Sequence, residues 1–189
     1  LTWLRFQSGF LMWILCLCAF LLLVGYLLLM ALRFGIPNMV SDTYYQLQGC
    51  TGSEIAPFKH PRNMGWLFSL IMVAVAFLML ICLLDMGRGI QFLAFLGCAG
   101  LCFVGCAPNY CDHDAYSVHK TAAIIAAVGS IGWCMSVSIL PTIVILTAYL
   151  FYVYQSRRAK TRHPWYWAEV SGFTDVFATY IIMYSQGNL

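Results

Sequence analysis

The run GFLMWILCLCAFLLLVGYLLLMAL, residues 9–32, contains no charged side chain. A helix needs ~20 predominantly apolar residues to cross ~30 Å of hydrocarbon, and this run is long enough to cross with some tilt. It is too long for the core of a signal peptide and no A-x-A-like cleavage site follows, so a retained span is expected. Further apolar runs return at about 65–84, 90–107, 118–137, 138–154 and 165–184. Only 9% of the 189 residues are charged and 62% are hydrophobic, with a mean hydropathy of +0.81. Soluble domains carry about 25% charged residues. So few charges cannot cover a water-facing surface, and most of this surface must face lipid. The expected fold is all-α: a polytopic integral membrane protein in which six transmembrane helices form one bundle and a single domain, 1–189.

The boundaries follow from breaks in the apolar pattern. The longest loop, 33–64, holds three prolines and the aromatic stretch TYYQL, and is expected to be ordered against the membrane surface. DMGRG closes the second run and Pro108 stops the third. Between the fourth and fifth runs, SVSILP carries no charge, and Pro141 suits the first turn of a new helix. One bent helix of 37 residues would greatly exceed a bilayer, so two spans are expected.

Six spans put both termini on one side with the turns near Arg88 and Ser138. The other, loop-rich side receives Arg33, Lys59, Arg62, Lys120, Arg157, Arg158, Lys160 and Arg162, against Arg5 and Arg88 on the terminal side. The positive-inside rule would make the loop-rich side cytoplasmic. The net charge of +3 is small and concerns orientation and headgroups; no nucleic-acid motif is present, and no nucleic-acid partner is expected.

Small residues recur every fourth position in the third span (Ala94, Cys98, Cys102, Cys106) and the fourth (Ala122, Ala126, Ser130, Cys134). Such rows let backbones approach where lipid offers no hydrophobic drive, so these helices should pair antiparallel across them. Seven of the nine cysteines lie in apolar runs, where free Cys behaves as a small hydrophobe. Cys50 and Cys111 lie in polar loops.

The polar residues in and beside the spans are the functional candidates. Glu169 lies one turn into the sixth span and Asp175 near mid-membrane. Intramembrane acids are costly and usually face a bundle interior or cavity. Asp175 is either a hydrogen-bonded tie between helices or an ion site. Asp85 and Arg88, three apart, suggest a local pair at the membrane edge. The stretch APNYCDHDAYSVHK, 107–120, sets Asp112, His113 and Asp114 side by side, with His119 in the first turn of the fourth span. It reads either as a hydrated turn whose acids cap the helix, or as part of a site where these residues, Glu169, Tyr44 and Tyr45 converge on a polar headgroup. Cys, His and carboxylate also suit zinc, but no H-E-x-x-H spacing occurs. A haem would lack a second histidine. No cofactor and no metal are expected.

The series SDTYY in the first loop, LLD ending the second span, GCAPNY ending the third, VH opening the fourth and WAE opening the sixth resembles a domain-of-unknown-function family of small six-helix bacterial membrane proteins. That family is distantly similar to the Frag/DRAM/Sfk-like proteins, which include factors for GPI-lipid remodelling. The resemblance points to Tyr44, Tyr45, Asp85, Pro108, His119 and Glu169, and implies no established reaction. It implies a bacterial inner-membrane location with the loop-rich side outside, against the charge count. There Cys50 and Cys111 would be able to pair. The chain departs from the pattern in carrying its basic run before the sixth span instead of after the fourth.

The leading functional expectation is binding of a lipid or other amphiphile in a polar-ended pocket, extending to lipid modification. His119 would be acid/base or headgroup donor, Glu169 its carboxylate partner, and Tyr44 and Tyr45 interface contacts, with Asp112, His113, Asp114 and Asp175 as further ligand-binding candidates. The alternative is a non-catalytic structural or accessory subunit of a larger membrane complex. The third is a proton- or ion-coupled transporter using Asp175.

Overall fold

The computed structural model describes residues 2–49, 64–159 and 163–187. Seven α-helices and a short 3-10 turn account for nearly all of them, and no strand occurs among the described residues. Six of the helices are long: α1 (Thr2–Phe34), α3 (Trp66–Met86), α4 (Gln91–Cys106), α5 (His113–Val137), α6 (Ile139–Ala159) and α7 (Pro164–Gly187). The 3-10 turn, Val40–Asp42, runs directly into the six-residue α2, Thr43–Gln48.

Among the described residues, four helices are long and apolar enough to cross a membrane: Gly9–Phe34, Trp66–Met86, His113–Val137 and Ile139–Arg157. Helix α4 is apolar but has only 16 residues, about 24 Å at the usual rise. Helix α7 has 24 residues and carries Glu169 and Asp175. Phe77, Phe92, Phe103, Val144, Leu150 and Phe151 are each more than half exposed. They spread over α3, α4 and α6 as a continuous apolar exterior, which suits hydrocarbon and not water.

Successive long helices alternate in direction. Helix α4 packs most extensively on α5, and next on α3. Helix α7 closes the ring back to α1 through two edge-to-face ring pairs, Trp13–Tyr184 at 5.5 Å and Phe20–Phe177 at 5.4 Å. The core between them is filled by Phe68, Met72, Cys82, Trp133 and Tyr180, all nearly inaccessible. Helix α6 lies outside this ring against α5 and α7.

The α4–α5 seam differs from the expected small-residue rows. Its closest approaches come from Gly97 and Gly100 on α4 and Gly129 on α5: a Cβ on Gly100 would stand 2.5 Å from the Ala126 amide nitrogen. Glycines at i and i+3, not cysteines at i and i+4, form the contact line. Ala122, Ala126 and Ser130 belong to it as expected. On α4, Ala94 and Cys98 are buried, but Cys102 is half-buried and Cys106 exposed, because that row rotates away from α5.

The short turns have local causes. Gly87 and Gly89 take positive φ, 63° and 70°, in the α3–α4 turn, a region that other residues enter at a cost. Asp85 and Arg88 do not form the expected pair: the Arg88 guanidinium donates to Met183 Sδ at 3.8 Å, while its carbonyl accepts the Trp133 indole N–H at 3.1 Å. Between α5 and α6 a single extended residue, Ser138, breaks the helix. Pro141 then sits in the first turn of α6, where the missing N–H is no loss.

Candidate functional site

At the long-loop end, residues 38–48 fold back onto the bundle and are held by α1, α3, α5, α7 and the α4–α5 loop. The sequence IPNMVSDTYYQL explains the shape. Asp42 accepts the backbone N–H groups of Asn38 and Met39 through one carboxylate oxygen, both at 3.1 Å, tightening the chain into the 3-10 turn. The other oxygen accepts the Tyr110 hydroxyl from the α4–α5 loop. Thr43, fully buried, donates to the Val40 carbonyl at 2.6 Å and accepts from Tyr26 of α1 at 2.6 Å.

Each neighbour adds an anchor. Val40 N–H donates to Glu169 Oε2 on α7 at 2.5 Å, and the Asn38 carbonyl accepts the Tyr166 N–H at the start of the same helix, 2.9 Å. Tyr45 donates to Asn109 Oδ1 at 3.0 Å and accepts the Cys111 N–H at 2.7 Å. Tyr44 covers Gly65 at the start of α3, so closely that a Cβ there would lie 2.5 Å from its ring.

His119 Nδ1 lies 2.8 Å from the Ala107 carbonyl. A carbonyl only accepts, so Nδ1 carries the proton and the neutral ring presents Nε2 as an acceptor. Ser41 Oγ, 3.0 Å away, therefore donates to Nε2. Both Ser41 and His119 are buried, at 7% exposure each. The Tyr110 ring lies 5.3 Å from the imidazole and the Tyr45 ring 5.0 Å from Tyr110.

The two loop-side phenols stay protonated. Burial raises both Tyr45 and Tyr110 well above the ordinary phenol value of 10.0; for Tyr110 the hydrogen bond to Asp42 and its charge add to the rise, and for Tyr45 the contacts with Cys111 do. A group whose folded value is raised contributes fully below its unfolded value. Loss of the Tyr110 proton therefore weakens the contact with Asp42 only under strongly alkaline conditions.

Of the candidates, His119, Glu169, Tyr44 and Tyr45 meet at this rim, linked through Ser41, Val40 and Asp42. His119 and Glu169 do not touch in the structure's hydrogen-bond pattern; residues 40–41 bridge them. Asp112, His113 and Asp114 do not join. His113 and Asp114 are fully exposed and 3.6 Å apart, and Asp112 caps α5 by accepting the Asp114 N–H at 3.4 Å. Adjacency to His119 in sequence is undone by helix geometry, since residues five to seven apart in the first turns end at different heights. Cys50, Lys59, Arg62, Lys160 and Arg162 lie outside the described residues, and with them the Cys50–Cys111 pairing.

Asp175 lies apart from the rim, 4% exposed within α7. Cys134, Thr142 and Thr179 surround it, the Thr179 hydroxyl donating at 3.5 Å. No ion pair involves it among the described residues, and its neighbours come from α5, α6 and α7. Asp175→Asn preserves shape and acceptor, so it is expected to shift stability by about 1 kcal/mol or less. Proton flux into proteoliposomes should be unchanged; an altered flux would restore coupled transport as the leading reading.

Ser41, Asp42, Tyr110 and Tyr26 are the members that the sequence reasoning missed. The signal for Ser41 and Asp42 was the cluster SDTYY, whose polar half was passed over in favour of its tyrosines; Tyr110 stood at the end of GCAPNY, and Tyr26 lay within an apolar run. No cluster of His, Cys, Asp and Glu with metal-binding geometry occurs among the described residues. No protein-family model, curated protein or solved structure matches the chain.

Proposed function

We propose that this chain is a six-span protein of a bacterial inner membrane that holds the polar head of a lipid or other amphiphile at its long-loop rim, and that the rim extends to lipid modification. The observation that carries the reading is the convergence of Ser41, Asp42, Tyr110, His119 and Glu169, drawn from four separate parts of the chain, at one end of an apolar bundle. Burying so many polar groups together is costly unless they are mutually satisfied, and Glu169 and Tyr110 are only partly buried, at the edge. An amphiphile entering from the lipid would bring its head to this level. The six alternating helices support the six-span topology, with α4 and α7 crossing while flanked by more apolar neighbours. Membership of the small six-helix bacterial family, and through it distant kinship with the Frag/DRAM/Sfk-like proteins, belongs to the same proposal. It is supported by Tyr45, His119 and Glu169, from three of the family-like motifs, meeting here.

Native mass spectrometry of the protein released from mild detergent tests this. The wild type is expected to retain a phospholipid or other amphiphile, and Glu169→Gln and His119→Gln, folded by size exclusion, to retain it at least about tenfold less, the equivalent of ~1.4 kcal/mol. A wild-type protein that emerges without lipid, and takes none up from vesicles, sinks the proposal. A second reading is favoured by one fact: Ser41, Asp42, Tyr110, His119 and Glu169 each already have a hydrogen-bond partner within the chain. The rim would then only brace an accessory subunit of a larger complex, and the same two variants would leave co-purification of its partners intact.

A further inference from the structure

The Ser41–His119 pair has the geometry of a nucleophile beside its base. Such a pair needs the hydroxyl within about 2.6–3.2 Å of the base, and the base oriented by a third group. Here Ser41 Oγ is 3.0 Å from His119 Nε2, and the Ala107 carbonyl holds Nδ1–H on the far side of the ring at 2.8 Å. That carbonyl fixes the tautomer, so the Nε2 lone pair is aimed at Ser41 and nowhere else. A purely structural histidine needs no such alignment with the most compact hydroxyl in the segment.

One aromatic ring borders the imidazole. The Tyr110 π-face lies 5.3 Å away, within reach of a cation–π contact with an imidazolium. Asp42, next in sequence to Ser41, carries a carboxylate already fixed by Tyr110 and two amides. None of the other serine hydroxyls with a recorded hydrogen bond among the described residues faces a histidine: Ser117, Ser136, Ser156 and Ser185 donate to backbone carbonyls of their own helices.

We propose that Ser41 is an acyl-accepting nucleophile and His119 its general base, acting on a carboxylic ester carried by an amphiphile; this rests on the amphiphile-binding reading above. Ser41 Oγ bonds to the ester carbonyl carbon while its proton passes to His119 Nε2. The ester C–O bond breaks, and the departing alcohol takes that proton. Water, or an acceptor alcohol, then attacks the acyl-serine, releases the acyl group and returns the proton to Ser41. No redox partner is needed.

The test uses the full-length protein in detergent with a long-chain alkyl fluorophosphonate, which phosphonylates a serine hydroxyl as fluoride leaves. Peptide mass spectrometry is expected to place the adduct on Ser41. Ser41→Ala should abolish it, and His119→Gln should slow it by ~10²–10⁴-fold, the usual contribution of a general base, in samples shown by size exclusion to be folded. Ser117→Ala should label at Ser41 like the wild type. Should Ser41→Ala not fold, Ser41→Cys with a thiol-reactive probe reports the same position. Absence of an adduct on Ser41, or labelling indifferent to His119→Gln, overturns the assignment. Lipid retention measured on the same sample separates the two proposals: lipid kept without an adduct removes only the nucleophile, whereas loss of both removes the amphiphile site as well.

Discussion

Gly100→Leu is expected to abolish folding, and even Gly100→Ala to cost several kcal/mol. A Cβ at this position would stand 2.5 Å from the Ala126 amide nitrogen, 2.8 Å from the Ala122 carbonyl oxygen and 2.8 Å from the Ala126 Cα. All three are backbone atoms of α5, so no side chain can swing aside; the helices must part. Overpacking a core that can repack costs about 1–3 kcal/mol, and this seam has no slack to repack into. Gly129→Ala meets the Gly97 nitrogen at 2.5 Å and the Leu93 carbonyl at 2.9 Å, so it should behave alike. Gly25→Ala is the internal control. Nothing lies within 4 Å of its Cβ position, and replacing glycine inside a helix stabilises by roughly 0.5–1 kcal/mol. Thermal unfolding in one detergent, followed by fluorescence-detected size exclusion, should show loss of the monodisperse peak for Gly100→Leu and a raised midpoint for Gly25→Ala. Equal behaviour of the two would refute the tight seam.

Asp42→Ala is the second large effect, with an expected loss of about 3–5 kcal/mol. The carboxylate accepts from Asn38 N–H, Met39 N–H and the Tyr110 hydroxyl, and is itself 8% exposed. Hydrogen bonds to a charged group contribute about 1.5–3 kcal/mol each, and donors left buried without partners add to the loss. Asp42→Asn should recover roughly half, because its single carbonyl oxygen can still take the two amides while the Tyr110 hydroxyl turns to accept from the new NH₂. The readout is local as well as global: chymotrypsin should cut after Tyr44 or Tyr45 in the alanine variant and leave the wild type intact there. If Asp42→Ala resisted cleavage and kept the wild-type midpoint, the carboxylate would not be the knot that holds this segment.

The long helices were legible because their signal is length. The apolar runs 65–84 and 90–107 coincide with α3 and α4 to within two residues, whereas α1 begins at Thr2 and α5 at His113, five or more residues before their apolar runs, because a helix continues into polar sequence that hydropathy does not register. The pairing line between α4 and α5 was less so. Cys98, Cys102 and Cys106 form the more conspicuous repeat, yet contact goes to the residues with no side chain, since closeness of backbones decides it. At the rim, Glu169 and His119 stood out as polar residues in apolar company. Ser41 and Asp42 did not, because a loop of mixed polarity gives no indication of which of its residues will turn inward. Tyr26 was hidden for the opposite reason: in an apolar run an aromatic reads as core, and its hydroxyl found a partner, Thr43, that only the folded-back segment supplies. Asp112, His113 and Asp114 were the converse error, a dense polar cluster that simply faces water.

The segment that crosses the rim also dictates the order in which the molecule can be completed. Ser41 meets a histidine 78 residues further on, and Val40 a glutamate 129 residues further on. As the ribosome delivers the chain from its amino end, this stretch emerges with its local bonds and Tyr26 available, but must wait for its other partners until α5 and then α7 are inserted. Its locking is thus an event that registers the arrival of α7. A polypeptide stopped before α7 would leave the Val40 amide without its carboxylate, and so expose an incompletely made protein to surveillance by proteases.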